Sequence, residues 1–260
     1  MGMISVAKLA HNKLLNVFVP QRVVFHHVPK CGGTSVGRAL RKRYLLSQST
    51  VTPESSFRAF EAFTQGTDRQ QMLVDVLDLR EQMMLHLLFE DIRCVSLHVR
   101  FSEIAHNHFS QNYKFVTVLR EPVSRFISHY FWSFGKPHAH ARIDENFEDF
   151  LETEHAQRLG STYGEFYSGL SKNSDMRSDS AVDAAIENLR RFDAVGRLDD
   201  LGDFETQLRR ELGVKISIGH ENKNKSATRG DRFEITPELM DRVVELCAPD
   251  IAVWKGYFNE

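Results

Sequence analysis

Hydrophobic and polar positions divide this chain into short apolar runs and longer stretches with helical spacing. Arg22 to Val28 is a β-branched and aromatic run that ends at Pro29, which predicts a buried strand; Gly32 and Gly33 then lead into a helical segment around Val36 to Tyr44. Asp68 to Glu90 carries Met72, Val76, Leu79, Met83 and Leu87 at helical spacing, and Ile92 to Leu97 follows as a second strand. Lys114 to Leu119 reads as a third strand, cut off before Pro122, a residue suited to the first turn of a following helix. Further on, the pattern predicts helix from Phe147 to Arg158, loop from Gly160 to Asp179, helix from Ala181 to Arg191 and strand from Asp193 to Arg197. A helix from Leu201 to Leu212 stopped by Gly213, a short strand from Val214 to Ile218 and a closing helix opened by Thr236-Pro237 complete the chain. Strands alternating with helices imply an α/β fold, a three-layer sandwich whose mainly parallel central sheet is covered on both faces.

The first residues fit the same scheme. Met3, Val6, Ala10, Leu14 and Val17 recur at helical spacing, so residues 1–20 read as an amphipathic N-terminal extension packed on the domain, with a peripheral membrane-surface anchor as the alternative. Lys8, His11, Asn12 and Lys13 interrupt that stretch, which therefore cannot supply the ~20 apolar residues of a transmembrane span. It also lacks the apolar core and small-residue cleavage site of a signal peptide. No Pro/Gly/Ser-rich linker or shift in composition marks a boundary, so residues 1–260 are expected to form a single domain. The glycine- and serine-rich loop at 160–180 is expected on its substrate side, since long loops in compact domains are commonly functional.

Composition narrows the partners. With 42% hydrophobic residues the chain can bury a sizeable core, and 33 Lys plus Arg against 35 Asp plus Glu argue against wrapping nucleic acid. Anionic ligands must be met locally, and basic clusters stand at Arg38 to Arg43 and at Lys223 to Arg232. Cys31, Cys94 and Cys247 are too few and too scattered for a disulfide framework or a zinc knuckle, which implies a reducing compartment and a cytoplasmic location.

The chemistry concentrates in His27-Val28-Pro29-Lys30-Cys31-Gly32-Gly33-Thr34-Ser35. A strand running through two glycines into a helix offers backbone N–H groups and the positive end of a helix dipole to an anion. Thr34 and Ser35 add hydroxyls at the helix start, and Lys30 adds a charge beside the turn. An ordinary tight turn would account for the glycines but not for the lysine and the paired hydroxyls together. Because the lysine precedes the glycine pair, this is not the Walker A arrangement. Downstream, Val116-Thr117-Val118-Leu119-Arg120-Glu121-Pro122-Val123-Ser124-Arg125-Phe126-Ile127-Ser128 puts an arginine at a strand end and a serine eight positions later on the next helix. Arg120 suits bidentate contact with a phosphate, although such a residue also commonly forms a structural ion pair.

Pro29 to Ser35 after an apolar strand resembles the 5′-phosphosulfate loop of the sulfotransferase superfamily, in the variant seen in carbohydrate sulfotransferases such as the heparan 2-O type. Arg120 and Ser128 resemble its 3′-phosphate site, and weaker similarity runs through Tyr167 to Leu170 and Phe192 to Gly196. The resemblance implies a P-loop-NTPase-like sulfotransferase fold and an enzyme that moves a sulfuryl group from 3′-phosphoadenosine 5′-phosphosulfate to a hydroxyl, with 3′,5′-adenosine bisphosphate as product and no metal. It implies Lys30 on the bridging and leaving phosphate oxygens, and Cys31, Gly32, Gly33, Thr34 and Ser35 in the cradle of the 5′ phosphate. A polar basic stretch from His220 to Arg229 would close over the nucleotide through Lys225, Ser226 and Arg229, although the family's usual arginine-lysine-glycine ending has no clear copy here.

Transfer to a hydroxyl also needs a group to take its proton. His98, directly after the second strand in a His-Val-containing segment, is similar to the histidine base of carbohydrate relatives. Its competitors are His26, His27, His86, His106, His108 and His129, and the carboxylates Glu90, Asp91 and Glu103. No histidine pair has metal-ligand spacing such as His-Glu-x-x-His. The acceptor implied is a carbohydrate, with peptide tyrosine or a small metabolite as other classes. A small-molecule or nucleotide kinase and a non-catalytic nucleotide-binding protein are the rival readings. The oligomeric state leaves no trace in the sequence.

Overall fold

The computed structural model describes residues 15–136, 142–219 and 235–260. Most of the N-terminal extension, and Lys225, Ser226 and Arg229, lie outside the described residues. Five strands form one parallel sheet: β1 (Arg22–His26), β2 (Gln48–Val51), β3 (Cys94–Leu97), β4 (Tyr113–Leu119) and β5 (Ala194–Arg197) stand in the order β2-β3-β1-β4-β5. β1 lies between β3 and β4, where helices cover both faces, and Val23, Val24 and Phe25 are wholly buried without alternation. The chain runs from β1 toward one edge and then returns to β4 on the other side. The C-terminal ends of β1, β3 and β4 therefore flank a topological switch point, the usual ligand crevice of such sheets.

Helix α1 (Gly33–Arg43) follows β1; α2 (Pro53–Thr64) and α3 (Arg69–Phe89) cross from β2 to β3; α4 (Glu103–Phe109) leads to β4. After β4 come α5 (Pro122–Ser133), α6 (Phe147–Leu151), α7 (Glu154–Gly160), α8 (Thr162–Tyr167) and α9 (Asp179–Leu189); α10 (Leu201–Leu212), α11 (Pro237–Leu246) and α12 (Ala248–Phe258) follow β5.

Several expectations are corrected. β2 is the polar sequence Gln-Ser-Thr-Val on the sheet edge, paired with β3 alone, so no apolar run announces it. α2 is opened by the Thr52 hydroxyl, which accepts from the Ser55 N–H, and by Pro53 at the first turn; this start signal is present in the sequence but precedes weak apolar periodicity. Val214 to Ile218 is not a strand of the sheet. Val214, Ile216 and Ile218 are buried in alternation, but the Ile218 N–H donates to Glu205 Oε1 (2.6 Å) on α10 instead of joining a ladder. The region expected as loop from Gly160 to Asp179 contains α8, whose residues are all buried. Its glycines serve close packing: a Cβ on Gly160 would lie 2.1 Å from the Leu246 carbonyl oxygen, and one on Gly164 would lie 2.5 Å from that of Met176. The helix expected from Phe147 to Arg158 is divided into α6 and α7, with Thr153 capping the latter.

Candidate functional site

The turn after β1 is shaped by two left-handed residues, Lys30 (φ 68°) and Gly32 (φ 74°). That region costs a non-glycine residue roughly 1–2 kcal/mol, so Lys30 is held there by its surroundings. Gly32 is the N-cap of α1 and brings no side-chain cap to the first turn, which leaves N–H groups of the helix start available to a ligand. The glycines also have neighbours to admit. A Cβ on Gly33 would fall 1.9 Å from the His27 ring, and one on Gly32 would fall 2.3 Å from Leu198. Of the two hydroxyl residues, Thr34 is exposed and Ser35 half-buried.

Cations converge on this turn. Arg120, immediately after β4, directs Nη1 to the Lys30 carbonyl oxygen (3.4 Å). Burial, then the charges of Arg120 and Lys136, lower the Lys30 ammonium to about 8. Lys30 and Lys136 both lie over the Trp132 ring, at 5.1 and 3.4 Å from its centroid. Trp132 is four residues beyond Ser128 on α5, so the two share a helix face with Ser124. The Arg120 main chain is clamped at both polar groups by the Tyr163 hydroxyl, which accepts from its N–H (3.0 Å) and donates to its carbonyl. Tyr163 is placed in turn by Asp250, which accepts from its N–H (2.7 Å) and pairs with Arg125 (3.0 Å), both charges being fully buried. Burial pushes the Asp250 carboxyl up to about 7, against the pull of Arg125 and the Tyr163 and Gly164 N–H groups. Burial likewise raises the Cys31 thiol, whose Sγ lies 3.7 Å from the Tyr163 hydroxyl, so Cys31 is a packing residue of the turn, not a thiolate.

Next to this turn lies a cavity of about 650 Å³, into which β1, β3, α1 and α5 bring His27, Gly33, Thr34, His98, His129 and Trp132. His98 follows β3 and stacks on His27 with ring centroids 4.1 Å apart and planes 29° from parallel. Burial, then the neighbouring His27 and Arg80, holds the His98 imidazole well below its ordinary value, so it is neutral at pH 7. His98 Nδ1 and His129 Nδ1 are buried without hydrogen-bond partners. His129, also depressed well below its ordinary value by burial, and His155, lowered to about 4, line the same cavity.

The other base candidates lie elsewhere. His26 is wholly buried against Phe115 and Phe192, with burial lowering it to about 3. Glu90 and Asp91 precede β3, at the opposite edge of the sheet, where Asp91 pairs with Arg22. Glu103 pairs with Arg191 (2.6 Å), and His106 lies beside that arginine, 3.0 Å from its Nη2. Two carboxylates line the cavity among the described residues: Glu165 on α8, held low against the effect of burial by Arg158 and Arg100, and the exposed Glu54 on α2. Sequence reasoning passed over Glu165, Tyr163, Trp132, Lys136 and Arg80; of these only Trp132 carries a local cue, its spacing from Ser128 along one helix face.

A parallel α/β sheet with a lysine-bearing left-handed turn after its central strand, and an arginine entering from the neighbouring strand, gathers positive charge in the crevice at the C-terminal edge of the sheet. A model described as the sulfotransferase family matches residues 15–255, and the chain belongs to that family. Its fold is shared with the crystal structure of a sulfotransferase from Alicyclobacillus acidocaldarius, at 18% sequence identity and a TM-score of 0.50, over 92% of this chain and 96% of that one. No curated protein matches the chain.

Proposed function

We propose that this chain transfers a sulfuryl group from 3′-phosphoadenosine 5′-phosphosulfate to the hydroxyl of a carbohydrate acceptor, with residues 1–260 acting as one catalytic domain. The observation that carries this reading is the convergence of Lys30 and Arg120 on one turn whose helix start is uncapped, beside a cavity that also presents a neutral imidazole. No carboxylate is among the influences that shift Lys30, which suits a site whose counter-ion arrives with the ligand.

In this reading the first turn of α1, with Thr34 and Ser35, holds the 5′ phosphate, and Arg120 with Ser128 holds the 3′ phosphate. Lys30 stabilises charge on the leaving phosphate oxygen as the S–O bond to it breaks and the bond from sulfur to the acceptor oxygen forms. His98 takes the acceptor's proton, a role that needs the ring neutral before transfer. Lys225, Ser226 and Arg229 close over the nucleotide.

Two measurements test the proposal. Titration calorimetry is expected to show 3′,5′-adenosine bisphosphate binding without magnesium and no binding of ATP; the reverse would favour a kinase. Labelled-sulfate transfer across a panel of carbohydrate, phenolic and small-alcohol acceptors is expected to succeed with the wild type and to fail with Lys30→Ala and His98→Ala. Normal transfer by both variants would overturn the site assignment.

A further inference from the structure

We propose that Arg80 is a specificity-determining residue, seating an anionic group that the acceptor carries apart from the hydroxyl to be sulfated. The inference rests on the sulfotransferase reading of the site and adds a chemical requirement on the acceptor.

Arg80 projects from α3 and lines the cavity, yet it is only 7% exposed. Its Nε donates to Ser56 Oγ (2.9 Å) and its Nη2 to the Pro53 carbonyl (3.2 Å), both neutral acceptors. A guanidinium has five N–H donors, so these bonds commit two of them. Among the described residues no carboxylate reaches Arg80. Glu165 is taken by Arg158 (2.7 Å) and Arg100 (3.6 Å), Asp144 lies with Arg142, and Glu54 is exposed. Burial alone lowers the guanidinium to about 10, and no acidic neighbour offsets it. A cation buried without a counter-ion is costly, and proteins normally pair it. Here the cation faces a ligand-sized space, which identifies the missing partner as part of the ligand.

The surroundings define the rest of that ligand. Leu73, Val76, Leu77 and Phe166 give the cavity apolar walls, so the anion is attached to a body with an apolar face. Arg80 is also among the charges that depress the His98 imidazole. An acceptor anion placed on Arg80 offsets that charge and raises the proton affinity of His98 as the hydroxyl arrives, while burial and His27 continue to lower it; recognition of the acceptor is thereby coupled to the readiness of the base.

The matched probes 4-nitrophenyl β-D-glucuronide and 4-nitrophenyl β-D-glucoside share their aromatic group and ring hydroxyls except where a carboxylate replaces the primary alcohol. With and without saturating 3′,5′-adenosine bisphosphate, calorimetry on the full-length protein is expected to show the glucuronide binding at least about tenfold tighter, the scale of a charge-assisted contact. Arg80→Gln should abolish that preference and leave affinity for the bisphosphate unchanged. Because Arg80 also joins α3 to the start of α2, Arg80→Lys serves as a second variant; it keeps the charge with a shorter reach and should retain part of the preference. Equal or absent binding of the two probes by the wild type, a preference that survives Arg80→Gln, or a parallel loss of bisphosphate affinity would overturn the proposal. Failure of the wild type to bind the bisphosphate, with the glucuronide preference intact, would instead sink the donor reading.

Discussion

The N-terminal edge of the sheet and the turn after β1 at its C-terminal edge treat charge in opposite ways. At the N-terminal edge, Arg22 at the start of β1 meets Asp91 through two contacts (2.5 and 3.0 Å), and Lys114 near the start of β4 meets Asp193 (2.7 Å) and Glu211 (3.4 Å). At the C-terminal edge, Lys30 and Arg120 face each other across one turn, and Arg80 is buried with neutral partners. Paired charges settle the register of strands and loops; cations held close together without an ion pair raise the local potential, which an anion would relieve. The C-terminal edge is thus less stable than it could be, the usual relation between a binding site and its scaffold.

Breaking the C-terminal edge should have the larger consequences for activity. Lys30→Met should lower kcat by about 10²–10³-fold, the range for removing one donor to developing charge, while leaving the melting temperature unchanged or raised, since a desolvated cation is removed. A rate assay beside a thermal melt checks both halves. His98→Asn should cost about 10²–10⁴-fold in transfer. Because the His98 imidazole is depressed, the acidic limb of the wild-type rate profile for free enzyme should lie below pH 6.5, and that limb should disappear in the variant.

A third prediction sharpens the comparison through pH. His27 and His26 are lowered to about 4 and about 3 by burial, and His98 and His129 are also depressed. Each ring stays neutral in the fold while the unfolded chain takes up a proton below about 6.5, so their contribution is fully present above pH 6.5 and is lost as pH falls toward the folded values. Each contributes a slope of up to about 1.4 kcal/mol per pH unit across its window. Denaturant titrations at pH 7 and pH 5 should show the loss, and a neutral apolar replacement such as His26→Leu should flatten it. The smallest effect belongs to the N-terminal edge. Arg22→Ala should cost about 1 kcal/mol or less, because the Arg22–Asp91 pair is partly solvent-exposed, and should leave transfer rates unaltered.

How far the sequence reached depended on whether the relevant contacts are local. Lys30, Gly32, Gly33 and the start of α1 are consecutive, and a strand-turn-helix unit places consecutive residues together wherever it sits. The placing of Arg120 at a strand end and Ser128 on the next helix was legible for the same reason. By contrast, β2 hid because an edge strand needs no apolar run, and α8 hid because Gly160 and Gly164 allow close packing of α7 and α8 instead of marking a loop. The alternation in Val214 to Ile218 reported burial correctly and pairing wrongly, since a period of two requires only one buried side.

The sequence by itself therefore determined the alternation of strands and helices, the strand-turn-helix unit around Lys30 and the arginine that ends β4. Only tertiary structure decided that Arg120 would reach the Lys30 carbonyl, that Tyr163 and the buried Arg125–Asp250 pair would stand beneath both, and that Arg80 would come to the cavity of His98 bonded to neutral partners. Those contacts join residues tens to more than a hundred positions apart. The helices that bring them together are fixed by burial of their apolar faces, which is largely indifferent to the polar residues carried along at the ends.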